Sequence, residues 1–364
     1  MIAFGPTEEQ ELVRDAMREF AADALRPAAR ECDETSQIPG ELLDTIWQLG
    51  LVSTAISEAY GGGGEARSPI TNALVLEELA HGCASLAVAS MAPAAFANAV
   101  VDFGTEAQRQ ELLPAMCGDR FHAASLAAIE PAAFADPAAP RTKAEPKGDR
   151  FVLSGAKSFV PFADRASHFL VIARNNGDLD AFVVPRDADG LSVGEREKNM
   201  GLKPLPTYGL ELERVEVAAD ARLGGEAGCD VRRLLDGGRA ALAAVLTGVS
   251  RAVLEYCVPY AKEREAFDEP IARKQAIAFM LAEMHIETEG MRWLTWQAGS
   301  ALEHAEPATK AAYQARAIAS DKGMWIADNG VQCLGGHGYI REHPVEMWYR
   351  NVRTLGVLEG TLYL

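Results

Sequence analysis

The hydrophobic period changes twice along this chain, and that change limits the possible folds more than any other feature. From about residue 7 to 120 apolar residues recur at helical spacing, from about 121 to 220 they fall in short strand-like runs, and from about 230 the helical spacing returns. Side chains repeat about every 3.6 residues on a helix and every 2 on a strand, so neither pattern can bury its apolar face in the other conformation. The chain is also longer, at 364 residues, than one core usually serves. The reading is therefore a mixed but mainly α fold: a helical domain over 1–120, a small central β-domain over 121–222 and a second helical domain over 223–364.

Local signals fill in this outline. Thr7 with Gln10 reads as a capping box, followed by Val13, Met17, Phe20 and Leu25 up to Pro27: one long amphipathic helix, kinked at the proline. Pro39 opens a second helix that Gly50 is placed to end. The apolar, Ala-rich stretch Ile70 to Val101 reads as buried helix, and Thr105 with Gln108 repeats the capping box. Strand-like runs occur at 151–153, 169–173, 181–184 and 210–217, with turn signals at Asn175 to Asp178 and Asp187 to Gly190. Helices are expected again over 234–262, along the stripe Ile277, Met280, Leu281, Met284, and over 308–333, the last closed by Gly335-Gly336. Trp293 and Trp296 are assigned to the core.

Charge and cysteine spacing narrow the function classes. A formal charge of −17 argues against a nucleic-acid partner, although it says little about one local cleft. The six cysteines are scattered singly, without zinc or disulfide spacing, and the histidines show no metal-ligand spacing, so no metal is expected. The stretch MIAFGPTEEQ has no leader-like pattern and no long uncharged apolar run occurs, so the expected compartment is the cytoplasm, without a membrane.

Five segments, in order along nearly the whole chain, resemble the acyl-CoA dehydrogenase family. They are Thr7-Glu-Glu-Gln with Glu58-Ala-Tyr-Gly-Gly; Glu130-Pro131 with Gly155-Ala-Lys157; Glu263-Arg264-Glu-Ala-Phe267 with Gln275; Gln332-Cys-Leu-Gly335-Gly336-His-Gly338-Tyr339; and Leu358-Glu359-Gly360-Thr361. The resemblance implies a helical N-terminal domain, a β-domain and a C-terminal four-helix bundle, with FAD between the last two. It implies that Arg264, Phe267, Gln275, Gln332, Gly335 and Gly336 reach the ADP half of the FAD of a neighbouring subunit. It places Ile129, Phe159 and Thr361 on the flavin side, and Arg239 and Gly360 near an acyl-CoA thioester. Implied partners are an acyl-CoA substrate, an electron-transferring flavoprotein as acceptor, and further subunits, either a homo-oligomer (dimer or tetramer) or a hetero-oligomer with a paralogous chain.

The chemistry this requires is specific. Making an enoyl thioester needs a base at the α-carbon, a hydride acceptor at the β-carbon and a polarised carbonyl oxygen; no side chain accepts hydride, so the acceptor is a cofactor. Glu359 lies in the apolar run Leu355-Gly-Val-Leu-Glu-Gly, where burial would raise its pKa into a useful range. Against this stands a solvated glutamate near a chain end. For Arg239 a structural ion pair competes, and for Arg264 a helix-surface arginine.

Several positions depart from the family pattern. Ile129 stands where a Thr is usual, Ala132-Ala-Phe134-Ala-Asp136 replaces a small polar stretch, Phe159-Val-Pro161 replaces Trp-x-Thr, and Asp268 replaces a Gly. The preceding neighbour of Arg239 is Gly238, so the alternative base some members carry there is absent. With the chain stopping at Leu364, these departures keep two further expectations open: a non-catalytic or half-site subunit, and a different reaction on the same scaffold, such as an oxidase or a carrier-protein thioester dehydrogenase.

Overall fold

A computed structural model describes residues 5–364; Met1 to Phe4, which open the stretch read for a leader, lie outside them. Helix α1 (Glu8–Phe20) starts at the Thr7 capping box, with the Gln10 N–H donating to Thr7 Oγ1 at 3.3 Å and the Thr7 N–H to Gln10 Oε1 at 3.0 Å. Just upstream of Pro27, where the kink was expected, the winding of the helix changes. The helix widens into a π-helical turn over Ala21–Leu25 and runs on as α2 (Arg26–Thr35). A proline has no N–H, and its ring crowds the carbonyl four residues earlier, at Asp23; the widened turn takes up that clash upstream of the ring.

After α3 (Gly40–Trp47), the long α4 (Pro69–Phe103) is broken at Cys83, whose φ of −159° and ψ of 112° are extended, so it is two helices end to end. Helix α5 (Glu106–Leu112) starts at the Thr105 capping box. The central sheet holds β1 (Ser125–Ala127), β2 (Lys143–Lys147), β3 (Arg150–Pro161), β4 (His168–Asn175), β5 (Asp178–Pro185), β6 (Leu191–Arg196) and β7 (Thr207–Ala218). Their order is β1-β4-β2-β3-β7-β6, with β5 on the other edge of β4. Strands β2 and β6 had no signal in the apolar pattern because most of their side chains face water.

The C-terminal bundle consists of α6 (Val231–Glu263), α7 (Gln275–Glu303), α8 (Thr309–Leu334) and α9 (Val345–Leu355). A two-stranded hairpin, β8 (Glu265–Ala266) and β9 (Glu269–Pro270), joins α6 to α7. Helix α6 is the centre of the molecule, packing against α4, α7, α8 and α9. Helices α4 and α6 are long and apolar enough to cross a bilayer, but 94% and 78% of their most apolar windows are buried inside the protein. They are core helices.

One assignment to the core fails. Trp293 is 47% exposed and meets Trp296 edge to face at 5.1 Å. Helix α7 buries the stripe Met284, Thr288, Met291, Thr295, Ala298. Trp293 stands two residues off that stripe, about 200° round the helix, and so faces outward. Both tryptophans line a cavity of about 1140 Å³ between α1, α4, α6 and α7.

Candidate active site

The segment after α9 carries Glu359, and its course is set by residues that lack side chains. Gly237 and Gly238 on α6 open a track for it: a Cβ at Gly237 would overlap the ring of Tyr363, and one at Gly238 would sit 2.9 Å from the Leu362 carbonyl oxygen. On the opposite side Gly360, at a φ of 61°, lies so close to Ala128 that a Cβ there would overlap that of Ala128. Any other residue at 360 meets both a backbone and a steric penalty. Leu362, Tyr363 and Leu364 are buried. Tyr363 Oη donates to Asp102 Oδ2 at 2.6 Å, and its carbonyl accepts from Asn98 Nδ2 at 3.1 Å, so α4 grips the far end of the segment.

Glu359 is not the solvated glutamate that its position near the end of the chain suggests. Its side chain is 24% exposed, and Oε2 lies 3.6 Å from Arg239 Nε. That oxygen is buried without a hydrogen-bond partner. Burial pushes the carboxyl above the usual glutamate range; Arg239 and Arg316 pull against it, and Asp136 in the β1–β2 loop adds to the rise. Arg239 has a second contact, with Asp236 Oδ1 one turn back at 3.4 Å, and Asp236 Oδ2 accepts from Thr309 Oγ1 at 2.6 Å. Arg239 therefore belongs to an ion pair within α6, as its structural reading expected, and it also faces Glu359. Thr361 Oγ1 is a second buried polar atom without a partner.

Arg316 on α8 was absent from the sequence reading. It is 6% exposed, and its Nη2 donates to the carbonyls of Leu355 at 2.8 Å, Gly356 at 3.2 Å and Leu358 at 2.9 Å. No motif marks it. An arginine inside a helical repeat is ordinary in sequence, and only the return of α9 across α8 gives it carbonyls to hold.

The β-domain supplies the facing wall. Ala128, under Gly360, precedes Ile129, whose carbonyl accepts from the Ser158 N–H at 3.0 Å. Phe159 follows at a φ of 55°, half-buried, with its N–H donating to Glu197 Oε1 at 3.2 Å. Glu130 accepts from the N–H groups of Arg141 and Thr142, both at 2.8 Å, and from Thr142 Oγ1 at 2.6 Å and Lys157 Nζ at 3.2 Å. Burial pushes the Glu130 carboxyl up, but those donors outweigh it and hold it below the usual range; burial pulls the Lys157 ammonium down to about 8. Glu130 and Lys157 thus brace the loop bearing Ile129, and Phe134 on the same loop is fully exposed at a φ of 57°.

The remaining predicted residues gather elsewhere. Arg264 ends α6, exposed, and Phe267 and Asp268 form a two-residue hairpin turn at φ values of 57° and 66°. Asp268 takes the left-handed conformation that a Gly would adopt more easily. Phe267 is 87% exposed, with Lys274 Nζ 5.6 Å from its ring centre. Gln275, at the start of α7, and Gln332, near the end of α8, are exposed. So are Gly335, at a φ of 57°, and Gly336, with open space where either Cβ would sit. Tyr260, one turn before Arg264, ties the set together by hydrogen bonds to the Leu334 carbonyl at 3.4 Å and to His337 Nδ1 at 2.9 Å.

The two groups cannot serve one compact ligand site within a chain. Arg239 and Arg264 are 25 positions apart along one continuous helix, roughly 37 Å at about 1.5 Å per residue. Among the described residues no group of three or more His, Cys, Asp or Glu could hold a metal ion. The chemistry present is a shielded carboxylate with unpartnered polar atoms beside it at one end of α6, and an exposed Arg, aromatic, amide and glycine set suited to a diphosphate and a flat heterocycle at the other.

Comparisons with known proteins cover nearly the whole chain. Residues 7–120 match the family described as acyl-CoA dehydrogenase, N-terminal domain, residues 125–215 its middle domain and residues 230–362 its C-terminal domain. The chain is 33% identical to the mitochondrial short-chain specific acyl-CoA dehydrogenase of Bos taurus over 97% of this chain and 87% of the bovine protein. It is also 33% identical to the short-chain specific acyl-CoA dehydrogenase of Clostridium acetobutylicum, over 98% and 96% respectively. Among solved structures, butyryl-CoA dehydrogenase from Megasphaera elsdenii superposes with a TM-score of 0.89 at 30% identity, over 99% of this chain and 96% of that one.

Proposed function

The chain belongs to the acyl-CoA dehydrogenase family of FAD-dependent oxidoreductases, and on that premise we propose that it dehydrogenates an acyl-CoA thioester between the α- and β-carbons, with Glu359 as the base. The observation that carries this is the state of the Glu359 carboxylate. It is shielded from water, has an oxygen without a hydrogen-bond partner, and rests on a segment clamped between α6 and Ala128. A carboxylate so placed binds a proton more tightly than one in water, as a base at a weakly acidic carbon must.

In this reading Glu359 takes the α-proton, and Arg239 keeps the carboxylate oriented from 3.6 Å. The backbone N–H of Glu359 is the group assigned to the thioester oxygen, where a donor stabilises the charge that develops as the proton leaves. When bound, FAD supplies the acceptor for the β-hydride. Ile129, Phe159 and Thr361 form the wall on the flavin side, and the unpartnered Thr361 Oγ1 is available to it. Arg264, Phe267, Gln275, Gln332, Gly335 and Gly336 hold the ADP half of the FAD of a neighbouring chain, so the working unit is an oligomer. The distance along α6 and the exposure of that set support this division. Helix α4 offers no charged residue between Ala87 and Val101, which favours an uncharged acyl group. The electron acceptor is an electron-transferring flavoprotein.

The test is anaerobic mixing of the FAD-loaded protein with straight, branched and aromatic acyl-CoAs while flavin absorbance is followed. Bleaching by at least one of them, abolished by Glu359→Gln with ligand binding retained, is the expected result. Undiminished bleaching in that variant removes Glu359 from the reaction. Reoxidation by an electron-transferring flavoprotein rather than by oxygen tests the proposed acceptor.

A further inference from the structure

Arg316 is a buried cation for which no carboxylate lies within ion-pair distance among the described residues. Its Nη2 reaches three carbonyls at the end of α9 and just beyond it, Nη1 donates to Ser320 Oγ, and Nε has no partner. A guanidinium is costly to bury without an opposite charge. Part of the compensation is local, because the carbonyls at a helix C-terminus carry partial negative charge. The carboxylate that acts most strongly on Arg316 is Glu359, one residue beyond the last carbonyl it holds.

The charged groups around Glu359 come from three elements: Arg239 on α6, Arg316 on α8 and Asp136 in the β1–β2 loop. They do different work. Arg239 is shared, since Asp236 neutralises it. Asp136 opposes ionisation. Arg316 is the one cation of the three groups without a carboxylate partner of its own, and the backbone it grips is the segment leading directly to Glu359.

We propose that Arg316 is a second positioning residue for the base, beside Arg239, acting twice: its guanidinium fixes the backbone of Leu355 to Leu358, and so the place of the carboxylate, and its charge helps Arg239 keep that carboxylate ionised between turnovers. This rests on Glu359 being the base. Arg316 touches no reacting atom in this role; it acts through Glu359. Each part makes its own prediction, because lysine retains the charge while losing the planar fork that reaches three carbonyls, whereas glutamine loses the charge.

The experiment compares Arg316→Gln and Arg316→Lys with the unaltered FAD-loaded protein in two measurements. The first is the pH dependence of flavin bleaching by an acyl-CoA. Arg316→Gln moves the acid limb up by about one pH unit. Arg316→Lys leaves the limb in place and lowers the plateau rate about tenfold. The second is hydrogen–deuterium exchange over residues 355–361, which needs no turnover; both variants exchange faster there than the unaltered protein and than Glu359→Gln. An unmoved acid limb in Arg316→Gln, or an equal shift in both variants, overturns the charge role. Unchanged exchange overturns the clamp. Should Arg316→Gln fail to fold, an upward-shifted limb in Arg316→Lys is by itself enough to refute the charge role. Failure of the underlying reading has a different signature: Glu359→Gln bleaches normally while the exchange data still report on Arg316.

Discussion

The two ends of α6 differ in how completely one chain builds them. At the Arg239 end the side chains are mostly buried and held by their own chain: Asp236 and Glu359 meet Arg239, Arg316 holds the segment before Glu359, and α4 grips Tyr363 after it. At the Arg264 end Arg264, Phe267, Gln275 and Gln332 stand in water, fixed in backbone but not in side chain. A long polar side chain held without a partner loses rotamer freedom for no return, so functional residues left exposed on rigid backbone mark a place where a ligand or another chain completes the contacts. Under the proposed function, the difference separates a reactive half assembled within the chain from a cofactor-anchoring half completed by a neighbour.

The largest effect that could break this comparison comes from Glu359→Gln. If the Arg239 end is the reactive one, flavin reduction by acyl-CoA in stopped flow falls by about a thousandfold while FAD content is unchanged. Next is Gly360→Ala, which meets both the positive φ and Ala128. It costs about 3 kcal/mol of stability in denaturant titration, as expected of an end that is closely packed within the chain. Arg264→Ala should behave in the opposite way. It leaves the stability of the FAD-free chain within about 0.5 kcal/mol, as usual for exposed sites, and weakens FAD binding in equilibrium titration roughly ten- to a hundredfold, the loss of a charge-assisted contact to phosphate. A large loss of stability instead would mean that Arg264 serves its own chain.

The smallest effect sharpens the comparison through pH. The Glu359 carboxyl is raised above its ordinary value of about 4.5, so the folded protein holds that proton more tightly than the unfolded chain does. Ionised Glu359 therefore costs stability at neutral pH, and the cost disappears as pH falls below the ordinary glutamate range, where the group is protonated in both states. Glu359→Gln should accordingly raise the melting temperature slightly at pH 7 and leave it unchanged near pH 4, as scanning calorimetry across that range would register. The acid limb of flavin reduction should rise with pH through the same raised pKa.

Much of this was legible in the chain of letters, and the remainder had physical reasons for staying hidden. The capping boxes at Thr7 and Thr105 and the turn at Asn175 to Asp178 are local chemistry, decided within a few residues, and they appear where expected. The candidate base and the proposed diphosphate-binding residues could be named from the sequence because the motifs that resemble the family's are short and lie within single segments. Helix α9 passed unnoticed between two motifs, although it sets where Glu359 begins. The π-helical turn was missed because the proline's clash is taken up a turn upstream of the ring, and the outward Trp293 was misread because its exposure depends on which stripe of α7 the neighbouring helices cover.

The sequence by itself determined the order of helical and strand domains, which follows from period and caps, and its family-like motifs singled out the carboxylate and the residues expected at a dinucleotide. Only the tertiary structure decided that those residues divide between opposite ends of one helix, that Gly237, Gly238 and Gly360 shape the path of the segment bearing Glu359, and that Arg316 stands behind it. Each of these is a relation between segments far apart in the chain. Steric contact and charge act through space, and no local pattern records which distant carbonyl or carboxylate a folded helix will bring within reach.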